Sequence, residues 1–272
     1  MALATRGFPL LLTFELDAET IWTARDPAYA ARPVLMSQGA YGWKIGIWRV
    51  IDLLRRYALQ ATFFVPGIVV EQRPQVIEAL LRDGHEIAHH GHTHAAVETL
   101  TEAAERAEME HGIAAIRRAT GAPPRGYRSP SGELSRRTPA LLRDYGFGYA
   151  SNFRDDDSAY LLEVAGAPTD IVELPCRAVM DDATFFEHTP VLPDRVMQPP
   201  AAVLDVWTSE LDTLEAEDRL MVLTLHPALI GQPSRLPVLD GIIQHALSTG
   251  DVWIGRCDEI SDDLRPRLLA GG

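Results

Sequence analysis

Five of the nine histidines fall within ten residues, His85, His89, His90, His92 and His94 of HEIAHHGHTH (85–94). Imidazoles at that density hold metal ions or carry protons. The stretch opens on the letters H-E-x-x-H, which on a helix of several turns set two imidazoles and a glutamate around one zinc ion. Here Gly84 precedes His85 and Gly91 follows His90, and the six residues between the two glycines are too few and too interrupted for such a helix. As a strand, the segment sends His85 and Glu86 to opposite faces, and a protease site cannot assemble. His85 then reads as a strand-end histidine satisfied by a neighbouring carbonyl, with His89 undecided. In HGHTH (90–94) a continued strand would align His90, His92 and His94. A turn, which Gly91 favours, would leave His90 and His94 a helical step apart, and periodicity does not choose between the two.

These side chains need elements to position them. Strand-like runs are PLLLTFEL (9–16), QATFFVPG (60–67), HEIAHH (85–90), FGYAS (147–151), IVELP (171–175), RLMVLTL (219–225) and DVWIG (251–255). Between them, apolar residues at helical spacing and Pro or Gly punctuation predict helices over 44–59, 74–84, 101–121, 135–145, 200–214 and 236–247. An aromatic, Pro-containing loop is expected from the first strand to about Tyr41. Strand then helix, repeated, predicts a parallel α/β sheet. The sharp polar clusters ELDAE (15–19), HHGHTH (89–94), RSPSG (128–132) and HP (226–227) each follow a strand-like run. In α/β barrels that end holds the active site.

Composition narrows the function. With 272 residues, 46% hydrophobic, and no linker or repeat, the chain is expected to form one domain over 1–272. A formal charge of −13 repels phosphate backbones and acidic membrane surfaces, so neither nucleic acid nor membrane is an expected partner. The two cysteines, Cys176 and Cys257, lack CxxC spacing and build no disulfide framework. FPLLLTF (8–14) is short, lacks a small-residue cleavage site and runs into acidic residues, so it reads as a buried strand and the protein as cytoplasmic.

Six segments in register resemble the polysaccharide deacetylases with a NodB-like domain (carbohydrate esterase family 4). They are TFELDAE (13–19), ATFFVPG (61–67), GHEIAHHGHTH (84–94), RGYRSPSGELS (125–135), GFGYASNFRDDD (146–157) and LTLHP (223–227), followed by VWIG. The likeness is closest to the branch of cytoplasmic peptidoglycan-deacetylase-like and imidase- or allantoinase-like proteins. It implies a distorted (β/α) barrel with outer helices and a metal-dependent hydrolase of non-peptide C–N bonds. By the same resemblance, Asp17, His90 and His94 hold a divalent metal, Zn²⁺ first and Co²⁺ or Ni²⁺ as alternatives. Glu15 is the catalytic base, His226 the general acid, and Arg128 the residue that keeps the base ionised and oriented. The backbone near Ser131 serves the oxyanion, and one among Asp155, Asp156 and Asp157 orients His226 or touches substrate. The branch also suggests a homo-oligomer.

Glu15 stands where the family usually has Asp, and Ala150 where many relatives have Asp. The aromatics Trp43, Trp48, Phe63 and Phe64 read as core or pocket wall, with Trp43 carried as a substrate-facing wall. N-deacetylation of a small or short amino-sugar substrate and ring opening of a cyclic imide or allantoin-like ureide stand nearly level. A catalytically silent barrel that binds sugar or metal is the rival of another class.

Overall fold

The structure, a computed structural model, describes residues 6–189 and 191–271. Among the described residues nine strands form one sheet: β1 (Phe8–Glu15), β2 (Thr62–Val65), β3 (Glu86–His89), β4 (Gly126–Tyr127), β5 (Tyr149–Ala150), β6 (Tyr160–Val164), β7 (Ala167–Glu173), β8 (Met221–Leu225) and β9 (Val252–Gly255). The order is β6-β7-β5-β4-β3-β2-β1-β8, and all pairings are parallel except β6 with β7. Leu10 pairs with both Met221 and Ile254, and Thr13 with both Thr62 and Thr224. One flank of β1 therefore carries β8, while the other carries β9 and then β2. The sheet curls into an unclosed half-barrel wrapped by helices, the distorted (β/α) barrel that the motif order implies.

Alternation along β1 explains why this strand carries the site. Leu10, Leu12, Phe14 and Leu16 pack outward in the cluster that holds Ile47, Val50, Ile51 and Leu80 of the surrounding helices. Leu11 packs inward with Phe64, Ala88, Tyr149, Val172 and Val222. A period of two puts Thr13, Glu15 and Asp17 on the inward face above Leu11. Buried Phe14 stacks on Phe63 with ring centroids 4.8 Å apart, and Phe14→Ala would cost about 3–5 kcal/mol.

Several expected boundaries move. The stretch after β1 is not a plain loop, because Pro33 starts a helix at Pro33–Tyr41, a first-turn position where its missing N–H costs nothing. The expected helix from Lys44 begins as a π-helical turn, Gly42–Gly46, before the α-helix Ile47–Arg56. A Cβ on Gly46 would lie 1.9 Å from the Pro227 carbonyl oxygen, so glycine there lets this helix approach the loop after β8. The helix Gly67–Gln72, the β6–β7 hairpin and the helix Cys257–Gly271 were not expected.

The last of these helices settles the role of Glu86. Its N-terminal amides at Cys257 and Asp258 donate to Thr62 Oγ1 (2.8 Å) and Glu86 Oε2 (3.2 Å), and Glu86 also accepts from the Tyr149 hydroxyl at 2.9 Å. Glu86 thus sits at the start of β3, about 13 Å from His90 at a strand rise near 3.3 Å per residue. Burial raises its pKa to about 7.

Candidate active site

The H-E-x-x-H histidines are buried on the side of the sheet that faces the helices, and hydrogen bonds engage both. His85 Nδ1 accepts from the Ala61 amide at 3.1 Å, a backbone N–H and not the carbonyl expected. His89 Nε2 lies 3.1 Å from the Met109 carbonyl, while its Nδ1 accepts from the Gly91 amide at 3.1 Å. With both ring nitrogens satisfied, His89 is no ligand.

After β3 the chain turns at Gly91, whose φ is 69°, and His94 adopts φ 66°, a left-handed value uncommon for a non-glycine residue. The turn geometry therefore holds over a continued strand. Glu108, on the helix Glu102–Thr120, pins it by accepting from the His92 and Thr93 amides at 2.8 Å each and from the Thr93 hydroxyl at 2.7 Å. Gly67 N–H donates to the Gly91 carbonyl at 3.0 Å from the other side.

The pinned turn aims His90 and His94 at Asp17. The Nε2 atoms of His90 and His94 lie 3.5 and 3.6 Å from Asp17 Oδ1, and the two rings are 5.1 Å apart. His90 Nδ1 is 2.8 Å from the Arg128 carbonyl, which can only accept, so the proton sits on Nδ1 and the Nε2 lone pair faces Asp17. All three residues are buried, and His90 Nε2 and Asp17 Oδ1 have no hydrogen-bond partner among the described residues. Orphaned buried acceptors are expensive unless a cation or proton joins them. Two imidazoles and one carboxylate are a donor set that a divalent transition ion fits. Burial raises the Asp17 pKa to about 6 and lowers that of His94 to about 4.

Glu15 stands beside this set. Its Oε2 is 3.2 Å from His226 Nε2 and 3.6 Å from His90 Nε2, and its Oε1 is 3.3 Å from Arg128 Nη1. Burial works to raise its pKa, but the His226 hydrogen bond and the charges of His226 and Arg128 outweigh it and hold the carboxyl well below the usual range. Arg128 is itself fixed by Thr13 Oγ1 (2.8 Å), the Ser151 carbonyl (3.1 Å) and the Ser151 hydroxyl (2.7 Å), with its guanidinium 4.3 Å over the Phe64 ring.

His226 follows β8. Asp182 Oδ2 accepts its backbone N–H at 2.9 Å, and Asp182 Oδ1 lies 2.6 Å from its Nδ1. Burial alone would lower the His226 pKa, yet Asp182 and Glu15 raise it well above 6.5. The expectation that one of the Asp155–Asp157 run serves His226 is therefore wrong. Asp155 accepts from Tyr160 Oη (2.9 Å), Asp156 from the Ser158 amide (2.9 Å), and Asp157 pairs with Arg177 (3.0 Å). Asp182, in MDDATFF (180–186), lies one residue past Asp181, which pairs with Thr224 of β8.

Trp43 is also placed differently. Its Nε1 donates to Glu19 at 3.0 Å, Arg73 stacks 4.1 Å over it, and it lines neither cavity at the site. Ser131, at φ 63°, lines the smaller of two cavities, about 250 Å³. The larger has a volume of about 640 Å³. Glu15, Asp17 and His226 face both.

A buried two-histidine, one-carboxylate cluster beside a carboxylate and a carboxylate-backed histidine, all at the C-terminal ends of barrel strands, defines a hydrolase-type site. Comparison with known proteins narrows the class. The family model for polysaccharide deacetylase matches residues 41–150. A solved structure from Mycobacterium smegmatis, assigned to the polysaccharide deacetylases, is 34% identical with a TM-score of 0.91, covering 96% of this chain and 91% of that one. The chain belongs to the polysaccharide deacetylase family. The peptidoglycan deacetylase of Helicobacter pylori is 27% identical over 259 residues, 85% of this chain and 88% of its own. A solved allantoinase shares the fold with a TM-score of 0.84 at 22% identity, covering 96% of this chain and 92% of that one.

Proposed function

We propose that this chain is a metal-dependent amide hydrolase that removes an acyl group, acetyl in the simplest case, from the nitrogen of a small molecule or short amino sugar. The observation that carries the reading is the pair of orphaned acceptors, Asp17 Oδ1 and His90 Nε2, facing one point beside Glu15. Asp17, His90 and His94 would hold the ion, Zn²⁺ by donor type with Co²⁺ or Ni²⁺ as alternatives. When bound it supplies Lewis acidity to the reacting amide and water.

The chain's own residues do the rest. Glu15, kept anionic by Arg128, takes a proton from the attacking water as its oxygen bonds the carbonyl carbon. The turned backbone at Ser131 offers an N–H to the oxygen that gains charge. His226 delivers a proton from Nε2 to the leaving nitrogen as the C–N bond breaks, giving a carboxylic acid and a free amine. Asp182 holds the proton on Nδ1 and so fixes the ring that Nε2 presents. Glu15, one methylene longer than the usual Asp, reaches His226 and His90 at once.

Relatives named as deacetylases weigh for acyl removal over ring opening of a cyclic imide, because likeness to the allantoinase extends only to the fold. The complete set of acid, base and ligand residues weighs against a silent barrel. One barrel domain over 1–272 accords with a sheet drawn from residues 8 to 255. The experiment is a side-by-side assay of acetate release from N-acetylglucosamine oligomers and of succinimide hydrolysis. Acetate release lost in His226→Ala supports the reading; hydrolysis of the imide alone overturns it.

A further inference from the structure

The larger cavity, about 640 Å³, has the reacting groups Glu15, Asp17 and His226 on its wall and apolar walls from Ile21, Trp22 and Phe186. It also carries two guanidinium groups whose partners among the described residues are all neutral. Arg235 is only 8% exposed. Among the described residues its buried Nη1 has no acceptor and its Nη2 meets only the Met197 sulfur at 3.1 Å, while its cation lies 4.8 Å over the Phe186 ring. Arg49 donates to the Tyr41 hydroxyl at 2.7 Å and to the Gly231 carbonyl at 3.2 Å. The remaining carboxylate on this wall, Glu187, is already held by Arg25 (3.3 Å) and Arg195 (2.6 Å).

A buried arginine with a free N–H and a thioether as its best acceptor is unusual, because an unpaired buried charge is costly and thioether sulfur accepts weakly. Guanidinium is built to grip a carboxylate by two parallel N–H donors. Met197, 52% exposed, can yield its place to such a ligand. Burial lowers the Arg235 pKa, and the charge nearest in effect is Asp182, which is committed to His226.

We propose that Arg235, with Arg49 on the same cavity wall, binds a carboxylate of the substrate, so that the natural substrate is an N-acyl compound bearing a carboxylate besides the scissile amide. This assignment of substrate class rests on the amide-hydrolase reading above. An N-acylated amino acid and an N-acetylated sugar acid share that chemistry.

Two matched pairs test it with the metal-supplemented full chain: N-acetylmuramic acid against N-acetylglucosamine, and N-acetylleucine against its N-methylamide. The quantity read is the ratio of anionic to neutral partner, as kcat/KM for acetate release where turnover occurs and as Kd by calorimetry where it does not. Wild type should favour at least one anionic partner by about 10- to 100-fold, the size of one charge-assisted hydrogen bond. Arg235→Gln should collapse that ratio towards one, and Arg235→Lys should restore part of it. The pair that discriminates names the source of the carboxylate. Equal handling of both partners by wild type overturns the proposal, as does an Arg235→Gln variant that lowers both members alike. Carboxylate-selective binding without acetate release would retain the subsite and reject the amide-hydrolase reading.

Discussion

Asp182 grips His226 twice, accepting its backbone N–H at 2.9 Å with one oxygen and facing its Nδ1 at 2.6 Å with the other. The contact fixes both the ring's position and the nitrogen that carries the proton, leaving Nε2 to face Glu15. Asp182→Asn keeps the shape but can present an N–H to Nδ1, which inverts the tautomer. Steady-state kinetics should show kcat reduced by about 10²- to 10⁴-fold, the usual worth of a general acid, with KM little changed. A loss under twofold would remove Asp182 from the account.

Glu15 is assigned as the base, so Glu15→Gln should leave bound metal intact and cut turnover at saturating substrate by about 10²- to 10⁴-fold. Metal analysis beside the rate separates a lost base from a lost ion. Full turnover in the variant would show that some other group takes the proton.

Glu108 touches no ligand side chain, yet it holds the His92–Thr93 backbone between the two ligand histidines. Its removal should let His94 leave the strained φ it now holds. In competition with a chromophoric chelator, Glu108→Ala should bind Zn²⁺ about 10- to 100-fold more weakly, as outer-shell losses do. Unaltered affinity would show that the turn holds itself.

His85 gives acid sensitivity a definite sign. Burial lowers its pKa from 6.5 to about 4 in the folded chain. Between these values the unfolded chain binds a proton that native His85 refuses, so stability is complete above about pH 6.5 and declines as the pH falls towards 4. Asn can replace the Nδ1 acceptor for the Ala61 amide without titrating. Urea unfolding at pH 7 and pH 5 should therefore show a smaller drop for His85→Asn than for wild type. Identical drops would contradict the assignment.

What could be read before folding was what sits at strand ends. Glu15 and Asp17 share the inner face of β1 because of a two-residue period. His90, His94, Arg128 and His226 each follow a strand, and the curled parallel sheet brings those ends together. Asp182 was out of reach because it lies 44 residues before its partner, and only the pairing of Asp181 with β8 delivers it. The louder acidic run at 155–157 misled, since its carboxylates serve Tyr160, Ser158 and Arg177. Trp43 reads as a pocket aromatic by type, but Glu19 and Arg73 hold it elsewhere. The helix Cys257–Gly271 was hidden by its acidic residues and Pro266, although Cys257, Ile260 and Leu264 fall at helical spacing and are buried.

The central claim is that Asp17, His90 and His94 hold one ion on which amide hydrolysis depends. The direct measurement is titration of Zn²⁺ into chelator-stripped protein, following bound metal and acetate release together. Activity should be absent at the start, return in step with the first equivalent, and fail to return in His94→Ala that remains folded. Full activity in stripped protein, or no metal bound by intact protein, would contradict the claim.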